Sequence, residues 1–143
     1  MITRISALAA LCAIAAAAPA SAQENVELTG GFGPSTYDVT VYAGGDRDAS
    51  TIAGGCTGMI SDSAQLNLSF TGYGGPLIIH AYSEADTSLV VNGPDGRWYC
   101  NDDTEGLNPR VNWNVAGSGI YNIYVGAVSG NAQGVPVVIS LEE

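Results

Sequence analysis

Apolar segments alternate with turn signals in the stretch Asp86-Thr-Ser-Leu-Val-Val-Asn-Gly-Pro-Asp-Gly-Arg-Trp-Tyr-Cys-Asn-Asp-Asp103, and again in Val111-Asn-Trp-Asn-Val115 and Gly119-Ile-Tyr-Asn-Ile-Tyr-Val125. The order is strand, tight turn, strand, acidic loop, strand, turn and strand. Pro94, Asp95 and Gly96 favour the first turn, because proline fixes φ, aspartate bonds its own backbone and glycine accepts a positive φ. The stretch predicts a compact antiparallel unit whose polar chemistry lies in its loops.

The same alternation with a period of two extends over the rest of the chain. It is seen in Tyr37–Val41, Leu66–Phe70 and Val135–Leu141, and predicts strands with one buried and one wet face. Nearly continuous apolar runs at Pro76–Ala81 and Leu89–Val91 predict strands that are covered on both sides. Glycine-rich breaks recur at the spacing of a sandwich. The predicted fold is all-β: a single antiparallel, jelly-roll-like β-sandwich of eight or nine strands over residues 23–143.

The first 22 residues have the three-part build of a secretory signal peptide. Arg4 supplies the positive charge, Ile5–Ala18 form a short apolar core, and Pro19-Ala-Ser-Ala22 offers an A-x-A site, so cleavage is expected after Ala22. The apolar run is shorter than the roughly 20 residues of a membrane span. We therefore expect export through the bacterial Sec pathway to the periplasm or the cell exterior, with no integral membrane span.

The charge balance excludes some partners. The chain carries a net charge of −10, and beyond residue 22 three arginines and no lysine stand against 14 acidic residues. Such a surface repels nucleic-acid phosphates and anionic lipids. It favours cations or basic partners, or it serves to keep an exported monomer soluble. The expected partner is an exported or envelope protein or a glycan, of unknown identity.

The two cysteines beyond the signal peptide predict one disulfide. Cys56 and Cys100 form an even pair in an oxidising compartment, and a loop of this length corresponds to about 4 kcal/mol of stabilisation in the chain-entropy model. Neither cysteine belongs to a CxxC motif and His80 is the only histidine. A thiolate metal site or a catalytic thiol is therefore disfavoured.

A resemblance is carried by four motifs in order: Asp86-Thr-Ser-Leu89, Gly93-Pro-Asp-Gly96, Cys100-Asn-Asp-Asp103 and Gly119-Ile-Tyr-Asn-Ile-Tyr-Val125. Together they resemble the bacterial pre-peptidase C-terminal (PPC) domain family, in a standalone exported form. The resemblance implies a β-sandwich used for secretion, stability or binding rather than for catalysis. No peptidase domain accompanies these motifs, and the cysteine pair is not a general feature of that family.

The residues themselves show no catalytic constellation. His80 lies in an apolar strand, Ser118 lies in a Gly-Ser-Gly turn without the spacing of a nucleophile elbow, and no lysine is available. Asp102, Asp103 and Glu105 leave paired-carboxylate hydrolysis formally open. We expect no catalytic residue and no enzyme. The leading hypothesis is a noncatalytic exported binding module; the alternatives are a self-assembling cell-surface protein and, least favoured, a hydrolase.

Two groups of residues are candidate ligand contacts. The acidic loop and its flanks offer hard oxygen ligands for Ca²⁺, the one cofactor considered; the candidates are Asp86, Asp95, Asn101, Asp102 and Asp103. The alternative is that these side chains hold turns. Trp98 and Tyr99 point to opposite faces of one strand, so one of them is a candidate for stacking on a sugar or a partner. Trp113 alternates in phase with two valines and is expected in the core.

Overall fold

The computed structural model describes residues 22–33, 35–130 and 134–142. The predicted signal peptide lies outside these ranges except for Ala22. Within these ranges, no helix is long and apolar enough to cross a membrane.

The described ranges contain strands and a single 3₁₀ turn at Ala49–Thr51. The strands are β1 (Glu24–Thr29), β2 (Thr36–Val41), β3 (Arg47–Asp48), β4 (Met59–Ile60), β5 (Leu66–Thr71), β6 (Leu77–Ala81), β7 (Thr87–Asn92), β8 (Trp98–Asn101), β9 (Arg110–Trp113), β10 (Gly119–Ala127) and β11 (Val135–Ser140). These are eleven in the described part of the chain, more than the eight or nine predicted. The two-residue strands β3 and β4 are too short to produce a visible alternation.

Two sheets face each other, which confirms the predicted all-β sandwich. The larger has seven strands; β1, β5, β10, β7 and β8 run side by side in it, and β4 and β3 continue from the end of β10. The smaller has the order β2-β11-β6-β9. Every pairing is antiparallel except that of β1 with β5, which is parallel. The predicted antiparallel sandwich is thus confirmed, with one parallel pair at the edge where β1 joins the larger sheet beside β5.

The main core lies between the two sheets and is formed by alternate side chains of both. Tyr121 is its largest buried side chain, with Phe70 and Trp113 edge-on to its ring at centroid distances of 6.3 and 4.9 Å. Trp113 is half-buried against this core, as its alternation predicted. All five residues of β6 are buried, which confirms that this strand is covered on both sides.

A second, smaller core lies on the outer face of the seven-stranded sheet. Residues 45–60, here called the cover segment, fold over one half of that face and place Ala49, Cys56 and Ile60 against Val90 of β7. This explains why β7 is apolar on both faces. The predicted disulfide between Cys56 and Cys100 is confirmed, with a Cα–Cα distance of 5.2 Å, and it ties the cover segment to β8.

Candidate functional site

Two of the predicted calcium ligands hold turns. Asn101 ends β8, and its Oδ1 accepts hydrogen bonds from Thr104 Oγ1 at 2.7 Å and from the Arg110 backbone N–H at 2.9 Å. Asp95 lies in the β7–β8 turn and accepts from the Tyr99 hydroxyl at 2.6 Å and from the Arg97 backbone N–H at 3.1 Å. The Tyr99 bond, more than the others, lowers the pKa of Asp95 below its ordinary value.

The remaining candidates are not gathered into a metal site. Asp86 precedes β7, and Asp102 and Asp103 follow β8. Among the described residues, no three histidine, cysteine, aspartate or glutamate side chains are grouped so that they could hold a metal ion. Calcium binding stays a prediction. A melting temperature that rises with millimolar Ca²⁺ in the unmodified protein, but rises less in D102N, would support it.

The two aromatic candidates of β8 are both half-buried. Tyr99 packs on the main core, with its ring edge-on to Trp113 at 5.1 Å. Trp98 faces outward but packs on the second core, with its ring centroid 5.9 Å from that of Tyr124. If β8 packed on one face alone, one of the two side chains would lie in solvent. The cover segment adds apolar surface beside Trp98, so both side chains are partly buried.

Beside the cover segment, the uncovered half of the seven-stranded sheet presents a row of amides. Cross-strand register places Asn25 beside Asn67, Asn67 beside Asn122, and Asn122 beside Asn92. We call these four residues the amide row. With neighbouring strands about 4.8 Å apart, the row is about 14 Å long. Trp98 is the cross-strand partner of Asn92 and so continues the row by one strand.

One end of the amide row forms a depression of about 210 Å³, here called the amide groove. Its lining comes from β1, β5 and β10, and comprises Asn25, Val26, Glu27, Asn67, Ser69, Ile120 and Asn122. Asn67 Nδ2 donates to Asn25 Oδ1 at 3.1 Å, which orients both amides. Ile120 is 55% exposed and adds an apolar surface between polar neighbours. The groove therefore combines hydrogen-bonding amides, a hydroxyl, a carboxylate and an aliphatic contact.

Sequence reasoning missed the amide row. Each asparagine is visible in the sequence as a polar position of an alternating strand. What the sequence does not show is that β1, β5, β10 and β7 are neighbours in this order. Four asparagines at outward strand positions, an unusual choice for residues depleted in strands, were the available signal.

A second depression, of about 150 Å³, lies on the outer face of the four-stranded sheet. We call it the His80 depression; it is lined by Ile78, His80, Tyr82, Glu105, Arg110, Val138, Ser140 and Glu142. His80 is 6% exposed, its ring lies 4.0 Å from that of Tyr82, and its Nε2 has no hydrogen-bond partner. Burial lowers the pKa of His80 below 6.5; the nearby Arg110 charge acts in the same direction and Glu105 opposes it.

The His80 depression gathers the residue types of a hydrolase without their contacts. Ser140 pairs with Ile78 across the strands, so His80 is its diagonal neighbour, about 7–8 Å away. A nucleophile and its base must come within about 2.6–3.2 Å. Ser140 Oγ instead donates to the Glu142 backbone carbonyl at 3.2 Å. Ser118 Oγ accepts from the Gly72 backbone N–H at 2.8 Å, so it links two turns, in keeping with its turn assignment.

No protein-family model matches this chain, and no curated protein is significantly similar to it. The resemblance to the PPC domain family therefore stays a prediction. Among solved structures, the chain is similar to Aeromonas hydrophila PliG, a periplasmic lysozyme inhibitor of g-type lysozyme, with 12% identity over 85% of this chain and 100% of that one. The TM-score of 0.45 is too low to establish a common fold, so nothing about the ligand of this chain follows from it.

Proposed function

We propose that this protein is an exported, noncatalytic binding module that holds a neutral oligosaccharide on the amide row. The observation that carries the proposal is the amide groove, where three strands present amides around an exposed isoleucine. The ligand lies across the strands, from Asn25 toward Trp98.

The chemistry of the groove suits a sugar. Each asparagine amide offers both a donor group and an acceptor oxygen, and paired sugar hydroxyls need both. Ile120 supplies an apolar contact for the C–H face of a sugar ring. At the other end of the amide row, the accessible part of the half-buried Trp98 offers an aromatic surface for stacking.

Charge favours a neutral ligand. Glu27 lines the amide groove and Glu24 lies on the same edge strand. With a net charge of −10, the chain repels sulfated or uronic-acid polymers, which carry charge of the same sign. A neutral polymer meets no such repulsion and offers hydroxyls to the carboxylate of Glu27.

Export and the absence of catalysis are supported by separate observations. The disulfide between Cys56 and Cys100 is the kind of bond that forms and persists in an oxidising compartment. The separation of Ser140 from His80 leaves the His80 depression without an activated nucleophile. A binding module accounts for both observations, because binding on the amide row needs no activated nucleophile.

The test is titration of the mature protein with neutral oligosaccharides, followed by calorimetry and by backbone NMR shifts. We expect shifts centred on β1, β5 and β10, and a loss of affinity of at least tenfold in N67A and in N122A, about 1.4 kcal/mol. N112A is the matched control, because Asn112 is an exposed asparagine on the outer face of the other sheet. Heparin should not bind.

Two outcomes would contradict the proposal. One is that no neutral oligosaccharide in a broad panel shifts the resonances of the amide row at millimolar concentration. The other is that N112A weakens binding as much as N67A does, which would place the sugar elsewhere.

A further inference from the structure

The His80 depression lies on the opposite side of the sandwich from the amide row, so the proposed function does not use it. Three strands form its floor, where Val138, His80 and Arg110 are cross-strand neighbours. The loop before β9 contributes Glu105, and the segment after β11 contributes Glu142. It is a concave site that two chain segments border from opposite sides.

Its most informative feature is the unpartnered nitrogen of His80. A polar atom that is buried without a hydrogen bond is uncommon in a folded protein, and it calls for an account of what supplies the missing bond. His80 meets this description, since the residue is 6% exposed and Nε2 is without a partner. Its ring lies against that of Tyr82, with the centroids 4.0 Å apart and an interplanar angle of 36°.

The other groups of the depression decide what kind of ligand fits. Glu105 and Glu142 offer carboxylates, Ser140 a hydroxyl, and Tyr82 the face of a ring. A neutral imidazole presents one ring nitrogen as an acceptor. Arg110 is the one cationic side chain of the lining, and two carboxylates exceed its charge. The site is therefore rich in acceptors and has a negative balance, like the chain as a whole.

We propose that the His80 depression receives an arginine side chain of a basic protein partner. A guanidinium has five donors in a planar fork, pairs with a carboxylate through two bonds and stacks on aromatic rings. Glu105 and Glu142 would accept from it, and the exposed side of the Tyr82 ring would lie against its plane. A small rotation of the imidazole would let the buried His80 Nε2 receive one of its N–H groups. The module would then hold a glycan on one face and a protein on the other.

The proposal predicts the direction in which the affinity changes with pH. The imidazole accepts a bond only while it is neutral, and burial and Arg110 hold the pKa of His80 below 6.5, against the opposing charge of Glu105. The charged or titratable groups facing His80 are Tyr82, which directly follows β6, Arg110 of β9, Glu105 and Glu142; Asp38 of β2 lies beyond Val138 in the same row. Binding should therefore weaken as the pH falls through the pKa of His80.

His80 provides a direct probe, because it is the only histidine of the chain and its ring signals need no assignment. We would titrate the mature protein with a capped pentapeptide that carries one arginine between glycines, and follow the imidazole protons by NMR. We expect saturable shifts at pH 7, an affinity that falls in parallel with the protonation of the imidazole as the same signals follow it to lower pH, and at least fivefold weaker binding in E105Q. D46N removes the same charge from an exposed loop and should change affinity by less than twofold.

Three results would overturn the proposal. Equal weakening of binding in E105Q and D46N would indicate unspecific charge attraction. Equally tight binding of a peptide with lysine in place of arginine would show that the site does not recognise the guanidinium group. Shifts with acetate or phosphate but none with the arginine peptide would assign the depression to anions. Oligosaccharide binding by E105Q should equal that of the unmodified protein, so the outcome is independent of the amide row.

Discussion

Gln65 shows how one side chain completes a sheet. Along one edge, β10 pairs with β5 as far as Ile123 and meets β4 at Ala127, so the backbone of Val125 lacks a strand partner there. Gln65 fills this gap: its Oε1 accepts from the Val125 N–H at 3.1 Å and its Nε2 donates to the Val125 carbonyl at 3.1 Å. The same Nε2 donates to the Tyr42 carbonyl at 3.0 Å. At 2% exposed, Gln65 is a buried amide whose polar atoms are all used.

Replacing Gln65 by leucine should destabilise the protein by about 2–4 kcal/mol. The apolar side chain would leave the Val125 N–H buried without a partner, which costs about 1–3 kcal/mol. It would also remove the amide donor from the Tyr42 and Val125 carbonyls, at about 0.5–1.5 kcal/mol for each lost bond, although the Val125 carbonyl keeps the Gly44 N–H at 2.9 Å. Urea unfolding of the mature protein measures the change. Q23L is the control, because Gln23 is exposed and donates a single bond to the Ala64 carbonyl; a loss as small as in Q23L would contradict the role of Gln65.

His80 should make stability depend on pH between about 5 and 7. Its folded pKa is lower than 6.5, so in this window the unfolded chain binds the proton more readily than the folded chain does. The free energy of unfolding therefore falls as the pH drops below 6.5, until the folded pKa is passed. The pKa values of Asp48 and Asp95 lie below 3.8, so these groups titrate outside the window. Melting temperatures at pH 5 and pH 7 should differ less in H80Q than in the unmodified protein; an equal difference would assign the effect elsewhere.

At the scale of elements, the cover segment converts an exposed strand face into a second core. Its contacts are few: Ala49, Cys56 and Ile60 against Val90, with Trp98 at the margin. Two-residue strands cannot hold such a segment by backbone bonds alone. The disulfide to β8 adds a covalent restraint, beside the hydrogen bond that Ser88 Oγ of β7 donates to the Thr57 carbonyl at 2.7 Å.

The double variant C56S/C100S should therefore lose about 4 kcal/mol of stability, the value expected for a bridge that closes a 44-residue separation. The loss is measured by urea unfolding of the oxidised protein and of the variant. We also expect faster hydrogen exchange at Ile60 and Val90 than at Leu68, because only the outer core depends on the bridge. Uniform acceleration would contradict a local role for the cover segment.

At the scale of the whole molecule, charge on the edge strands opposes assembly. β1 is an edge of the larger sheet and carries Glu24 and Glu27; β2 and β9, the edges of the smaller sheet, carry Asp38 and Arg110. Charged side chains on edge strands discourage pairing with another chain. The net charge of −10 adds repulsion between copies.

We expect the mature protein to sediment as a monomer over a wide range of concentration at physiological salt. Analytical ultracentrifugation and light scattering measure this directly. Mass that increases with concentration, or filaments in electron micrographs, would instead support the alternative of a self-assembling surface protein.

The sequence alone was enough to predict an all-β sandwich, the disulfide partners, the core position of Trp113 and the double coverage of β6 and β7. Each of these depends on local alternation or on a simple count, and both are properties of the chain read in order. The sequence also places Asn101 next to other oxygen ligands in the acidic loop, but it does not show that the oxygens of Asn101 and Asp95 accept hydrogen bonds from turn N–H and hydroxyl groups; calcium binding there stays a prediction.

The amide row, the parallel edge strand and the His80 depression were decided by tertiary structure. Asn25, Asn67, Asn122 and Asn92 become neighbours only through the strand order β1-β5-β10-β7, which follows no order in the sequence. The alternation of apolar and polar residues predicts which face of a strand a residue occupies. The register between distant strands is instead set by the packing of the whole core. Surface sites that several strands share are therefore a consequence of the fold rather than of any one segment.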